Sequence, residues 1–413
     1  MKTFRIHEIV FAKFLAFVLL LYMNVVSHYF QITHILLFLG ILLGIPIVIY
    51  LLRTRQSISV VITAEIRLYI LFFFLTLITG YFVAPNKAVL FKSEMTYIQT
   101  IIFMVFLLVI VEHDKDLIFI EFLIVSIGLI IAIVVLAGVD SIGHALAGRE
   151  EMFKGSVTKV NPNHVGLAQA ASFTVLLFWL RRLHEKHEIT KNNKFLGLVL
   201  ICIGLFITAL VVLVTGSRKS FIAVVLSLGM FFIFPPKGRI SRKIIGVLVA
   251  SFIVIIVFYL GSRFLEDVYI FRRFSTFFDE NSNTTRVNMI REGFQILGTS
   301  PFVGVGLGNF TYASSFGTYS HNTVAEALST TGLIGSSIYF MTYISLFMKL
   351  IRLTKKHESR IFAYNGLILF VLLIFLSIGV IHFYEVQSAV WFTYIIGGTM
   401  LYDTKRGKEW RTH

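Results

Sequence analysis

The chain is short of charge. Asp, Glu, Lys and Arg make up 14% of its 413 residues, against roughly a quarter in soluble globular proteins. Hydrophobic residues make up 57%, and the mean hydropathy is +0.84. So little charge cannot cover a water-exposed surface, and lipid is the expected solvent. Cysteine is nearly absent as well. Cys202 alone rules out intrachain disulfides and cysteine-based metal clusters, and its apolar surroundings read as those of a small packed residue. No nucleotide-binding loop is present, and no His, Asp or Glu group has metal-ligand spacing, so neither ATP-driven chemistry nor any cofactor is expected.

What the chain has in abundance is long apolar runs. A membrane-spanning helix needs about 20 apolar residues, and stretches such as Leu117–Val139 and Ile361–Ile381 are continuous rather than alternating, which excludes a β-barrel. The expected architecture is an all-α polytopic membrane protein with about twelve spans, forming a single membrane domain over 1–413. The spans are placed at 9–27, 34–52, 66–84, 97–112, 117–138, 164–180, 195–214, 221–235, 244–262, 322–348, 361–381 and 388–402. Lys2 and Arg5 before the first run resemble a secretory signal, but Lys13 interrupts the run and no small-residue cleavage site follows, so a retained span is expected.

The net charge of +15 does not point to nucleic acid, because the cations sit in short segments between runs. With both termini inside, the inner segments hold 22 Lys and Arg and the outer ones 12. That bias fits a bacterial inner membrane protein with both termini cytoplasmic. The longest segment outside the runs, 261–321 between the ninth and tenth spans, then lies on the outer side. Loops this long in compact proteins are usually functional. A short helix is expected inside it, capped by Asn283 or Thr284, with Val287, Ile290, Phe294 and Leu297 on one face and Gly298 and Pro301 at its end. It reads as an amphipathic helix lying on the membrane surface.

Three places hold residue types suited to chemistry. The loop's cations are Arg263, Arg272, Arg273, Arg286 and Arg291, with no lysine. Arginine's planar fork matches phosphate and carboxylate oxygens two at a time; pairing with the loop's own Glu266, Asp267, Asp279, Glu280 and Glu292 is the plainer alternative. Next, Thr215-Gly216-Ser217-Arg218-Lys219-Ser220 joins two apolar runs almost without a loop. Two adjacent cations on the disfavoured side call for an anionic partner such as a lipid phosphate or pyrophosphate, unless they only snorkel. Finally, in Tyr319-Ser320-His321-Asn322-Thr323-Val324-Ala325-Glu326, a capping box of Thr323 with Glu326 starts a helix just after His321. A helix start suits phosphate, and a histidine there suits proton transfer or hydrogen bonding, though a lone histidine is more often structural. Gly304-Val305-Gly306-Leu307-Gly308 lacks the strand a dinucleotide fingerprint needs and reads as a tight turn, while Asn161-Pro162-Asn163-His164 reads as a helix cap.

Together, Thr215-Gly216-Ser217-Arg218, the run from Thr285-Arg286 to Pro301-Phe302-Val303-Gly304-Val305-Gly306-Leu307-Gly308-Asn309-Phe310, and Ser320-His321-Asn322 leading to Thr331-Gly332-Leu333-Ile334-Gly335 resemble the O-antigen ligase and polysaccharide polymerase superfamily. The last two segments span about 50 residues and are the specific part; the first 150 residues match only as apolar spans. The resemblance implies a GT-C-like, metal-independent, inverting membrane glycosyltransferase that uses a polyprenyl-pyrophosphate-linked oligosaccharide. It would place catalytic roles on Arg218, Arg286 and His321. Lys219, Arg291, Tyr319 and Asn322, which lie beside them in these segments, are expected to bind substrate. Lys219 departs from the family, where a small residue is common. Arg291 fits less well, since five positions along a helix set it about 140° from Arg286.

The expected activity is polymerisation of lipid-linked repeat units of an O-antigen, capsule or exopolysaccharide, with membrane lipids and a chain-length regulator as partners. An O-antigen ligase is the alternative. A transporter or flippase is a lesser one, because the sequence has no internal repeat and carries an arginine-rich outer loop that a carrier does not need. The acid-free segment Ser27–Thr33, read as the first outer loop, disfavours glycosyltransferases that use a metal and an acidic pair there.

Overall fold

The computed structural model describes residues 2–21, 62–138, 162–185, 191–234 and 280–403, and every regular element among them is a helix. In chain order these are α1 (Lys2–Leu21), α2 (Ala64–Val83), α3 (Lys87–Ile110), α4 (Asp114–Ala137), α5 (Pro162–Glu185), α6 (Lys191–Thr215), α7 (Arg218–Ile233), α8 (Glu280–Thr299), the single turn α9 (Phe310–Ala313), α10 (Thr323–Thr354), α11 (Arg360–Leu376) and α12 (Val386–Asp403), with a 3₁₀ turn at His382–Tyr384. Six are long and apolar enough to cross a membrane: α2, α3, α4, α5, α6 and α10. The expected spans 34–52 and 244–262, the acid-free segment 27–33 and Arg263, Arg272 and Arg273 lie outside the described residues.

The helices form two compact units. The first contains α2, α3, α8 to α12 and α1 as far as Ala16. Here α10 packs along α2, α8, α11 and α12, and α3 packs against α2 and α12. Its core is aromatic: Phe72 lies with its ring centroid 5.2 Å from Tyr97 and 5.4 Å from Tyr339, and Tyr343 lies 5.0 Å from Phe392. Such tilted and edge-on pairs suit the ring quadrupole. Near one end, the fully buried Glu65 of α2 accepts from Ser345 Oγ at 2.5 Å and from Lys349 Nζ at 2.9 Å, both on α10.

The second unit contains α5, α6, α7 and α4 beyond Leu117. Its centre is α5, buried without interruption from Val165 to Phe178. Small residues let the helices approach, as is usual in membranes. A Cβ on Gly128 would stand 1.8 Å from Ser172 Oγ, and Ser172 Oγ donates to Ile124 O at 2.9 Å. Glu121 accepts from Arg182 through both carboxylate oxygens and from Trp179 Nε1 at 2.9 Å.

Three boundaries correct the sequence reading. The helix expected at 97–112 starts ten residues earlier, because Asn86 Oδ1 accepts from Ala88 N and Val89 N and caps it. Lys87 and Lys92 are therefore helical, as long stems allow. The run 361–381 ends as a helix at Leu376 and continues as a turn. The loop helix opens at Glu280 rather than at Asn283 or Thr284. Its packed face is Met289, Gly293 and Ile296, whereas Val287 and Phe294 of the apolar stripe are exposed.

Candidate active site

The segment after α8 is built from glycines in left-handed backbone. Gly304, Gly306 and Gly308 have φ of 66°, 88° and 76°. This loop docks into a break in α10 at Gly332, which has φ 62°. Val305 N donates to Ser329 O at 3.0 Å and Gly306 N to Thr330 O at 2.8 Å. In return Leu333 N donates to Pro301 O at 2.8 Å and Ile334 N to Phe302 O at 3.2 Å. The carbonyls and amides freed by the break are thus satisfied by the loop. The loop also meets the α2–α3 turn: Asn309, fully buried, accepts from Asn86 N at 2.9 Å.

From there the chain returns to α10 under two carboxylates. Glu292 of α8 accepts from Ser315 N at 2.7 Å and Ser315 Oγ at 2.9 Å. Glu326 of α10, 1% exposed, accepts from Ser320 N at 2.8 Å. The helix cap is Asn322, whose Oδ1 accepts from Val324 N at 2.9 Å and Ala325 N at 3.0 Å. The expected capping box is therefore wrong in register. Thr323 lies inside the helix, and its hydroxyl donates to Val380 O at 2.5 Å while its amide donates to Ser377 O at 2.8 Å. These bonds, with His382 N donating to Thr323 Oγ1 at 3.2 Å, fix the turn after α11 against the start of α10.

His321 stands between Ser320 and Asn322 with φ 54°, alone among described non-glycine residues in having positive φ. This conformation costs an L-residue roughly 1–2 kcal/mol, and residues so held cluster at functional sites. Its ring lies 4.1 Å from that of Tyr319, centroid to centroid, and is half-buried. The Tyr319 hydroxyl is pushed above its ordinary value by burial and then by the Glu385 carboxylate; the Arg286 guanidinium opposes this, and Glu326 adds to it. Arg286, Tyr319, His321, Asn322, Glu326 and Glu385 are thereby brought together within the first unit. Glu385 was missed in the sequence because it lies outside the loop, in the turn that Thr323 holds. Arg291 is exposed and donates to Asn288 Oδ1 at 3.4 Å on its own helix.

Arg218 and Lys219 are the first two residues of α7 in the second unit. Gly216, with φ 58°, reverses the chain so that two residues join α6 to α7. Ser217 caps α7 and donates to Asn163 Oδ1 at 3.3 Å, which sets the first turn of α5 beside this joint. Asn163 thus has a partner beyond its own helix, which spacing could not reveal. Among the described residues no three His, Cys, Asp or Glu side chains are grouped to hold a metal ion.

Residues 203–340 match the family described as O-Antigen ligase. The match takes in the joint at Arg218, α8, the glycine loop, His321 and the break in α10, and so bears out the resemblance. No curated protein matches the chain. Residues 203–340 are thus similar to that family, and the apolar helices are those of a helical membrane protein.

Proposed function

We propose, from the similarity of residues 203–340 to the O-antigen ligase family, that this chain polymerises polyprenyl-pyrophosphate-linked oligosaccharide repeat units on the outer face of the bacterial inner membrane. The observation that carries this reading is the gathering of Arg286 and His321 around Tyr319, at the start of a helix capped by Asn322. An acceptor hydroxyl attacks the anomeric carbon of the donor from the side opposite the pyrophosphate. The new glycosidic bond forms as the bond to the pyrophosphate oxygen breaks, and its electron pair leaves with the pyrophosphate. Arg286 stabilises that developing charge, the kind of term that usually dominates catalysis. His321 orients the acceptor hydroxyl or takes its proton, and Tyr319 and Asn322 border the sugar. Arg218 and Lys219 enter from the resemblance, as cations for the lipid-borne diphosphate. No metal, nucleotide or other cofactor takes part in this scheme.

The test is polymer synthesis in cells carrying Arg286→Ala, Arg218→Ala or His321→Ala. Each is expected to abolish long polymer at unchanged protein level, and normal polymer in all three would discard the assignment. The matching family's description favours a second reading, in which the glycan passes to lipid A core or a protein. A deletion strain separates the two on a gel, since single repeat units accumulate if the enzyme polymerises and long unattached polymer accumulates if it ligates.

A further inference from the structure

The unusual backbone at His321 needs a restraint, and one of its neighbours supplies it. Ser320 gives its amide to the Glu326 carboxylate at 2.8 Å, and its hydroxyl donates to Asn322 O at 2.9 Å. Asn322 is itself fixed as the cap of α10. Both flanks of His321 are therefore tied to the same helix start, Ser320 through a carboxylate one turn inside it. A buried carboxylate is retained at a cost, and this one accepts from the backbone beside the candidate base.

We propose that Glu326 is the positioning residue of His321: by accepting the Ser320 amide it holds the histidine in left-handed backbone, with its ring against Tyr319 and facing the acceptor. Without that acceptor, Ser320 is released and the 321 backbone relaxes to an ordinary conformation, which turns the imidazole away. What Glu326 supplies is reach, not charge. This rests on the assignment of His321 as the residue that handles the acceptor hydroxyl.

Two substitutions separate reach from charge. Glu326→Gln keeps a side-chain oxygen at the same distance and removes the charge. Glu326→Asp keeps the charge and withdraws the oxygen by one methylene. The assay uses the full chain in nanodiscs, the lipid fraction extracted from a strain lacking the gene as substrate, and gel analysis of polymer. Glu326→Gln is expected to keep activity within about threefold, and Glu326→Asp and Glu326→Ala to lose about a hundredfold in kcat with little change in KM. The double variant His321→Ala/Glu326→Asp is expected to be no worse than His321→Ala alone, because residues acting as a unit are not additive. An inactive Gln variant beside an active Asp variant overturns the proposal in favour of a charge effect. Losses that add to that of His321→Ala overturn it in favour of a general structural role, and full activity in both overturns it outright. Should Glu326→Ala fail to fold, the Gln and Asp pair decides alone. Full activity of His321→Ala would sink the functional reading itself, whereas an inactive His321→Ala with an active Glu326→Asp sinks only this inference.

Discussion

The backbones of Gly332 and Phe302 touch: a methyl group on Gly332 would stand 2.3 Å from the Phe302 carbonyl carbon. The contact is mutual, since a methyl on Gly304 would stand 2.4 Å from the carbonyl carbon of Thr330. Both glycines also need positive φ, which side chains resist. Gly332→Ala or Gly304→Ala is expected to cost at least about 3 kcal/mol by clash and strain together. Membrane level and detergent melting temperature would both fall; a variant that melts with the parent would show that loop and helix can separate freely.

Glu65 and Lys349 are 284 residues apart in sequence and tie α2 to α10. Glu65→Ala leaves the Lys349 ammonium, about a quarter exposed, without its carboxylate. Breaking a buried pair from one side costs roughly 3–5 kcal/mol, while replacing both partners by apolar residues is near neutral. Melting temperatures of Glu65→Leu, Lys349→Met and the double variant measure this. The double variant is expected to recover most of the loss.

Glu94 of α3 is 2% exposed, and among the described residues neither carboxylate oxygen has a hydrogen-bond partner. The nearby Thr76 hydroxyl donates to Phe72 O at 2.9 Å and to Phe73 O at 3.1 Å instead. An unsatisfied buried polar group costs about 1–3 kcal/mol. Glu94→Met is therefore expected to raise the melting temperature. If it lowers the temperature, the carboxyl has a partner that contributes to the fold.

His382 is buried and kept neutral. Its Nε2 donates to Leu373 O at 2.8 Å, so Nδ1 accepts from Ser388 Oγ at 2.6 Å. Burial pushes it down from 6.5 to about 4, against the Leu373 hydrogen bond. In the unfolded chain it would take a proton below about 6.5, while in the folded one it does not. Its contribution is thus fully present above pH 6.5 and is lost as pH falls toward 4, by an amount on the order of 3 kcal/mol. Melting temperature should drop between pH 7 and pH 4.5, and His382→Gln should flatten that drop. An unchanged slope would place the acid sensitivity elsewhere.

Much of the helical plan is legible from composition, because apolar runs of span length have few alternatives in lipid. Helix ends are less so. Asn86 and Asn322 set the starts of α3 and α10 through side-chain oxygens, and a hydropathy reading does not weigh a cap. At the candidate site, Arg286, His321 and Tyr319 stand out in the sequence by residue type and order. Glu326 reads in the sequence as the partner of Thr323, whereas in the structure it holds Ser320. Glu385 carries no such signal in the sequence, because it reaches the site through a turn fixed by Thr323, a contact 57 residues long in sequence. Such contacts carry no local period.

The joint between α6 and α7 leaves no slack. Gly216 and Ser217 alone separate the helices, and a methyl on Gly166 of α5 would stand 2.3 Å from Ser220 Oγ, so the joint has no room to spare beside Arg218. An extra residue there would have to be taken up by displacing α7 or the turn from its packing on α5, so epitope tags or engineered linkers belong elsewhere.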